Sequence, residues 1–159
     1  MTDLIALDES SKVWVYHCSD IIPDEKIPEM KKYIFNFVSQ WVSHNQALKA
    51  YGNIFHNRFL CLFVDETQAG ASGCSIDSSV RFIKNLGEHY KVDFFDRMIF
   101  SYIKNDEVHT ARRLELKSLY DNGNINDQTL FFNPLVKNKG EFIDHWLVPL
   151  GDSWMKRMV

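Results

Sequence analysis

The order in which hydrophobic periodicities follow one another constrains this chain more than any single motif. Val13-Trp14-Val15-Tyr16-His17 is rich in β-branched and aromatic residues and predicts a strand. Ile27, Met30, Ile34, Phe37, Val38 and Trp41 then recur at helical spacing, with Lys31, Lys32 and Gln40 off the stripe. Pro28 fits only a first turn, so this helix begins between Asp24 and Pro28. Two strand-like runs follow, Leu48 to Phe55 and Arg58 to Val64. The His56-Asn57 pair between them is short enough for a hairpin, although it lacks glycine. A second helical stripe carries Ile76, Val80, Ile83, Leu86 and Tyr90, with Arg81, Lys84 and Glu88 on another face. Met98, Phe100 and Tyr102 alternate as in a strand. The order is β-α-β-β-α-β, the split arrangement of ferredoxin-like folds with one antiparallel sheet.

Beyond it the sequence predicts a third helix over Thr110 to Tyr120, stopped by Asp121-Asn122-Gly123, then a short strand at Thr129 to Phe132. Glu141 to Leu147 reads as a last helical turn or two before Pro149. The expectation is one α+β domain over residues 1–159: a ferredoxin-like βαββαβ sheet of four or five strands, two helices on one face, and a C-terminal helical extension. A chain of 159 residues suits one domain, and 45% hydrophobic with 14% aromatic residues argues against disorder. A net charge of −3 argues against a nucleic-acid partner. The longest apolar run, Phe59 to Val64, falls far short of the roughly 18 to 20 residues of a membrane helix, so no membrane partner is expected. Met1 to Ser10 shows no basic segment leading into an apolar one. Three cysteines, an odd number without metal spacing, fit a reducing cytoplasm.

Gly70-Ala71-Ser72-Gly73-Cys74-Ser75-Ile76-Asp77-Ser78-Ser79 packs two glycines, four serines, an acid and a cysteine into ten residues before a helix. A helix N-terminus favours anions and thiolates. Ser72, Gly73, Ser75, Asp77 and Ser78 are therefore candidate ligand-binding residues, with Arg81 or Lys49 adding charge. The alternative is that Ser75, Asp77 or Ser78 caps the helix, with Asp77 accepting the N–H of Ser79 or Val80. Cys74 is a candidate nucleophile with His44 or His109 as base; otherwise it packs as a small hydrophobe. In the ferredoxin-like topology Trp41, Ser43, His44, Lys49, Asp65, Glu66, Cys74, Asp77 and His109 converge at one sheet edge. His17, Cys18 and His56 fall at the opposite edge. Asp65-Glu66 reads as an acid/base pair or a metal site, or more simply as a solvated edge of the sheet. Trp146 and Trp154 read as cover for the core, or as a partner surface if exposed. No metal site is expected, and the sequence names no cofactor. Gly-Lys-Ser/Thr, GxGxxG, HExxH, CxxC and GxSxG patterns are all missing, so a P-loop nucleotide cradle has no residues to build it.

The run Arg58 to Glu66 followed by Gly70 to Phe82 resembles a small uncharacterised bacterial family of about this length. Trp41 and His44 upstream, and Thr129 to Val136, Trp146, Pro149 and Trp154 downstream, are similar to it too, so the resemblance spans nearly the whole chain. Members often carry the label "ABC transporter ATPase", which the missing Walker A loop contradicts here. The resemblance implies where a site lies and brings no reaction with it. Three functional expectations follow: a binder of a small anionic ligand at Ser72 to Ser79, a cysteine-dependent enzyme built on Cys74, and a non-catalytic interaction module.

Overall fold

Seven consecutive buried residues run through the middle of the molecule, and they explain its layering. The computed structural model describes residues 2–159, and these seven form strand β5, Phe59–Asp65. Its side chains alternate between two different cores. Leu60, Leu62 and Val64 enter one, and Phe59, Cys61 and Phe63 enter the other. A strand covered on both faces reads as an unbroken apolar run rather than an alternation. β5 lies antiparallel between β1 (Lys12–His17) and β4 (Lys49–Phe55), which gives the order β1-β5-β4.

Two helices cover the first face. Helix α1 (Ile27–Gln40) has Pro28 in its first turn and buries Met30, Ile34 and Val38. It lies close on β4 because Gly52 has no side chain: a Cβ there would sit 2.8 Å from Ile34 and 2.9 Å from Leu62. Helix α2 (Gly73–Tyr90) buries Ser75, Ser79, Ile83, Leu86 and Tyr90. Ile76 and Val80 are only half-buried, so the helix is turned by one residue from the expected stripe. Small serines let its start approach Trp41, whose Nε1–H donates to the Ser75 carbonyl at 2.9 Å. Between α1 and β4, a two-residue hairpin joins β2 (Val42–Ser43) to β3 (Gln46–Ala47), with His44 and Asn45 at positive φ.

The single ferredoxin-like βαββαβ sheet is not found. That order places β1 between two strands, but among the described residues β5 is its one strand partner. The strand after α2, β6 (Ile99–Lys104), belongs to a separate antiparallel sheet ordered β7-β6-β8-β9. The physical reason lies in the turn after β6. Asn105 and Asp106 take φ of 54° and 60°, the geometry that sends a strand straight back on itself. The chain therefore continues as β7 (Glu107–Arg112), and Thr110, expected to open a helix, is in a strand. Helix α3 is confined to Leu116–Asp121 and is followed by Gly123 at φ 77°, as the turn signal indicated. β8 (Leu130–Phe132) matches its expected place. The C-terminal part is not simply helical: helix α4 (Lys139–His145) is followed by β9 (Leu147–Pro149), which pairs with β8.

The two sheets share one hydrophobic layer. Phe132, Val136, Phe142 and Trp146 cover the face of β5 that carries Phe59, Cys61 and Phe63. Single bridges tie the two ends of β1 to later segments, Lys12 to Asn138 and His17 to Phe95. A third cluster, including Phe100, Leu116, Phe131, Leu150 and Met155, fills the far side of the second sheet. Among the described residues, no helix is long and apolar enough to cross a membrane.

Candidate anion-binding site

The turn joining β4 to β5 puts a charge where the apolar pattern leaves no place for one. His56 and Asn57 both take positive φ, and the Arg58 N–H closes the turn on the Phe55 carbonyl at 3.2 Å. The turn is tethered to the chain after β1. Ile22 N–H donates to the Asn57 carbonyl at 2.7 Å, and Cys18 N–H donates to the Arg58 carbonyl at 2.9 Å. Arg58 follows, only 5% exposed, yet no carboxylate lies within ion-pair distance of it among the described residues. Burial pulls its pKa below the ordinary arginine value, but a guanidinium remains charged in proteins. A buried, unpaired charge is costly and marks a position where something else must compensate.

Part of the compensation is a polar chain that crosses between the two sheets. Arg58 Nη1 donates to Thr110 Oγ1 at 2.6 Å. Thr110 and Ser101 face each other across β7 and β6, with their hydroxyl oxygens 2.6 Å apart. Ser101 Oγ lies 2.7 Å from His17 Nε2 at the end of β1. Starting from the one obligate donor, every proton finds an acceptor in the order Arg58 to Thr110 to Ser101 to His17. His17 then accepts at Nε2 and is neutral. Burial, and after it the Arg58 charge, hold its pKa down at about 4, with Asp96 acting in the opposite sense. Its ring stacks on Phe59 at 4.3 Å. The guanidinium is only partly satisfied: Nε is sealed from solvent without a partner, and Nη2 has none among the described residues. The Nε–Nη2 edge is the one that grips a carboxylate or phosphate with two parallel bonds.

Arg58 lines an open groove of about 520 Å³ with Ile21, His56, Asn57, Glu107 and Val108. Sequence reasoning set His17, Cys18 and His56 apart at the far edge from Cys74, and they do gather here. It did not single out Arg58, Ser101 or Thr110. The available signal was an arginine at a turn immediately before six apolar residues, with the next acid only at Asp65.

The residues expected to form a site lie elsewhere. α2 begins at Gly73, so the glycine-serine stretch is mostly the first two helical turns rather than a loop. Ser72 is the cap, its Oγ accepting the Ser75 N–H at 3.2 Å while Ser75 Oγ accepts the Ser72 N–H at 2.7 Å. Ser75, Ser78 and Ser79 hydroxyls donate to carbonyls of the same helix. Asp77 sits exposed within the second turn and is not the cap. Arg81 is exposed, and Cys74 is exposed rather than packed. His44 lies in the β2–β3 turn, whereas His109 stacks on Tyr102 in the second sheet. No hydrogen bond joins either histidine to Cys74 among the described residues. Asp65 is buried beside Lys49 at 3.5 Å and accepts from Thr67 Oγ1, Thr67 N–H and Asp8 N–H. These bonds, those from Thr67 foremost, hold it down at about 2. Glu66 accepts the Ala71 N–H and pairs with Lys12 at 3.0 Å.

The chain matches no protein-family model, no curated protein and no solved structure. The site's own chemistry therefore carries the functional argument.

Proposed function

We propose that this protein binds a small ligand through an anionic group, with Arg58 as the receiving charge in the groove between the β4–β5 turn and β7. One observation carries this reading: an arginine only 5% exposed whose guanidinium has, among the described residues, no acid in ion-pair range and an unpartnered Nε–Nη2 edge. The net charge of −3 favours a small molecule over a nucleic acid as partner. Three unpaired cysteines favour a reducing, cytoplasmic setting. The anion-binding expectation is kept, but the start of α2 is the weaker place for it, since its serine hydroxyls are committed to the helix.

Thermal denaturation with phosphate, sulfate and small carboxylates at millimolar concentration tests the reading. The expected result is an anion-dependent rise in Tm that Arg58→Lys weakens and Arg58→Gln removes. No rise with any anion, or a rise that survives Arg58→Gln, overturns it.

The exposure of Cys74 favours a second reading, a cysteine-dependent enzyme. Its test is the pH dependence of iodoacetamide alkylation: a rate that titrates well below the ordinary thiol range supports it, and an ordinary profile removes it.

A further inference from the structure

The groove at Arg58 carries a second unpaired charge, of the opposite sign. Glu107 opens β7 and lines the same groove. It is exposed and makes no ion pair among the described residues. Its cross-strand neighbour is Lys104, the natural partner for it, but the Lys104 ammonium is turned to Asn124 Oδ1 at 3.3 Å. An acid in the wall repels a phosphate dianion that Arg58 alone would attract. A guanidinium on one wall and a carboxylate on the other instead complement a ligand carrying one charge of each sign. Apart from Asn57, whose amide nitrogen is engaged by the Ile22 carbonyl and Asp24, the rest of the lining is apolar or amphipathic: Ile21 is 60% exposed, Val108 is half-buried, and His56 adds an imidazole face. A volume of about 520 Å³ is in the range of small-molecule sites.

We propose that the ligand is an amino acid, its carboxylate held by Arg58, its ammonium by Glu107, and its hydrocarbon part by Ile21 and Val108. This rests on the anionic-group reading above and goes beyond it by requiring the amine. Nη2 and Nε have no partner among the described residues, and because Nε is sealed from solvent a two-bond grip on the carboxylate requires the groove to open around it.

Titration calorimetry on the full chain at neutral pH is the test, with leucine and 6-aminohexanoate as probes of short and long charge separation. Each is set against its deaminated counterpart, 4-methylpentanoate or hexanoate. At least one amino acid is expected to bind about three- to fivefold more tightly than its counterpart, the size of one exposed ion pair. Glu107→Gln, at an exposed position, is expected to erase that preference by weakening the amino acid, while the deaminated carboxylate binds at least as tightly as before because a repelling charge has gone. Equal affinities for both members of both pairs, or a preference that survives Glu107→Gln, overturns the amino-acid assignment while the anionic-group reading stands. If neither phosphate nor any of the four carboxylates binds, both fall together.

Discussion

The start of α2 and the β4–β5 turn make an instructive pair. The first has the composition of a binding site, with two glycines, four serines, an acid and a cysteine in ten residues. In the folded chain its hydroxyls close on its own backbone, through the Ser72–Ser75 capping box and the bonds from Ser75, Ser78 and Ser79. The second shows almost nothing in composition, one arginine against an apolar run, yet it leaves a buried charge half satisfied. The density of polar residues in sequence therefore says little about the polar capacity left over after folding. What counts is which groups remain without partners.

Stability measurements can break this contrast, and the largest expected effect lies in the polar chain that holds the turn's arginine. Thr110→Val removes the acceptor of Arg58 Nη1 and leaves a buried charged donor unpaired. It is expected to cost about 2–3 kcal/mol in urea unfolding. A cost no greater than that of a cap would mean that the polar chain does not support Arg58.

The pH dependence sharpens the same point. Free histidine titrates near ~6.5, while folded His17 is held down at about 4. The unfolded chain therefore takes up the proton first as pH falls. The stability contributed by neutral His17 is complete above ~6.5 and is lost as pH falls from there through about 4. His17→Gln keeps an acceptor for Ser101 and should flatten that part of the acid limb. An unchanged limb would show that His17 does not titrate in this way.

At the start of α2 the effects should be smaller and of a different kind. Ser72→Ala loses the cap and should cost about 1 kcal/mol, whereas Asp77→Ala should stay within about 0.5 kcal/mol. If the two were reversed in a pair of melting curves, Asp77 would be the cap and the helix would start later than Gly73. The smallest effect belongs to Cys74→Ser, expected to leave Tm unchanged and to abolish native-state alkylation. Cys18 and Cys61 are buried, and desolvation pushes the Cys18 thiol up to about 12. Labelling that persists in Cys74→Ser would place one of the buried thiols within reach of solvent.

Much of the first half of the fold was legible because its signals are local. β1, α1 with Pro28 in its first turn, and the hairpin around His56-Asn57 appear where periodicity and turn chemistry put them. The second half was harder for two identifiable reasons. Asn105-Asp106 makes a tight turn without glycine, so β7 was read as the beginning of a helix. β9 is only three residues long and has no pattern apart from its pairing with β8. The face of α2 was misplaced by one residue because serines occupy buried positions that a hydrophobic count assigns to isoleucine and valine. Arg58 was invisible as a site for a different reason. That it lacks an acid partner is a fact about its neighbours in space, and three of its associates, His17, Ser101 and Thr110, come from distant strands.

The double burial of β5 also bears on how the chain is made. Residues 12–65 complete the three-stranded sheet and α1 early in synthesis, but Phe59, Cys61 and Phe63 wait for Phe132, Phe142 and Trp146 to cover them. The segment from Phe132 to Trp146 must leave the ribosome before that oily face is shielded. A nascent chain stalled before Leu130 therefore displays an uncovered aromatic sheet face, the kind of transiently exposed apolar surface that makes incomplete chains prone to aggregate.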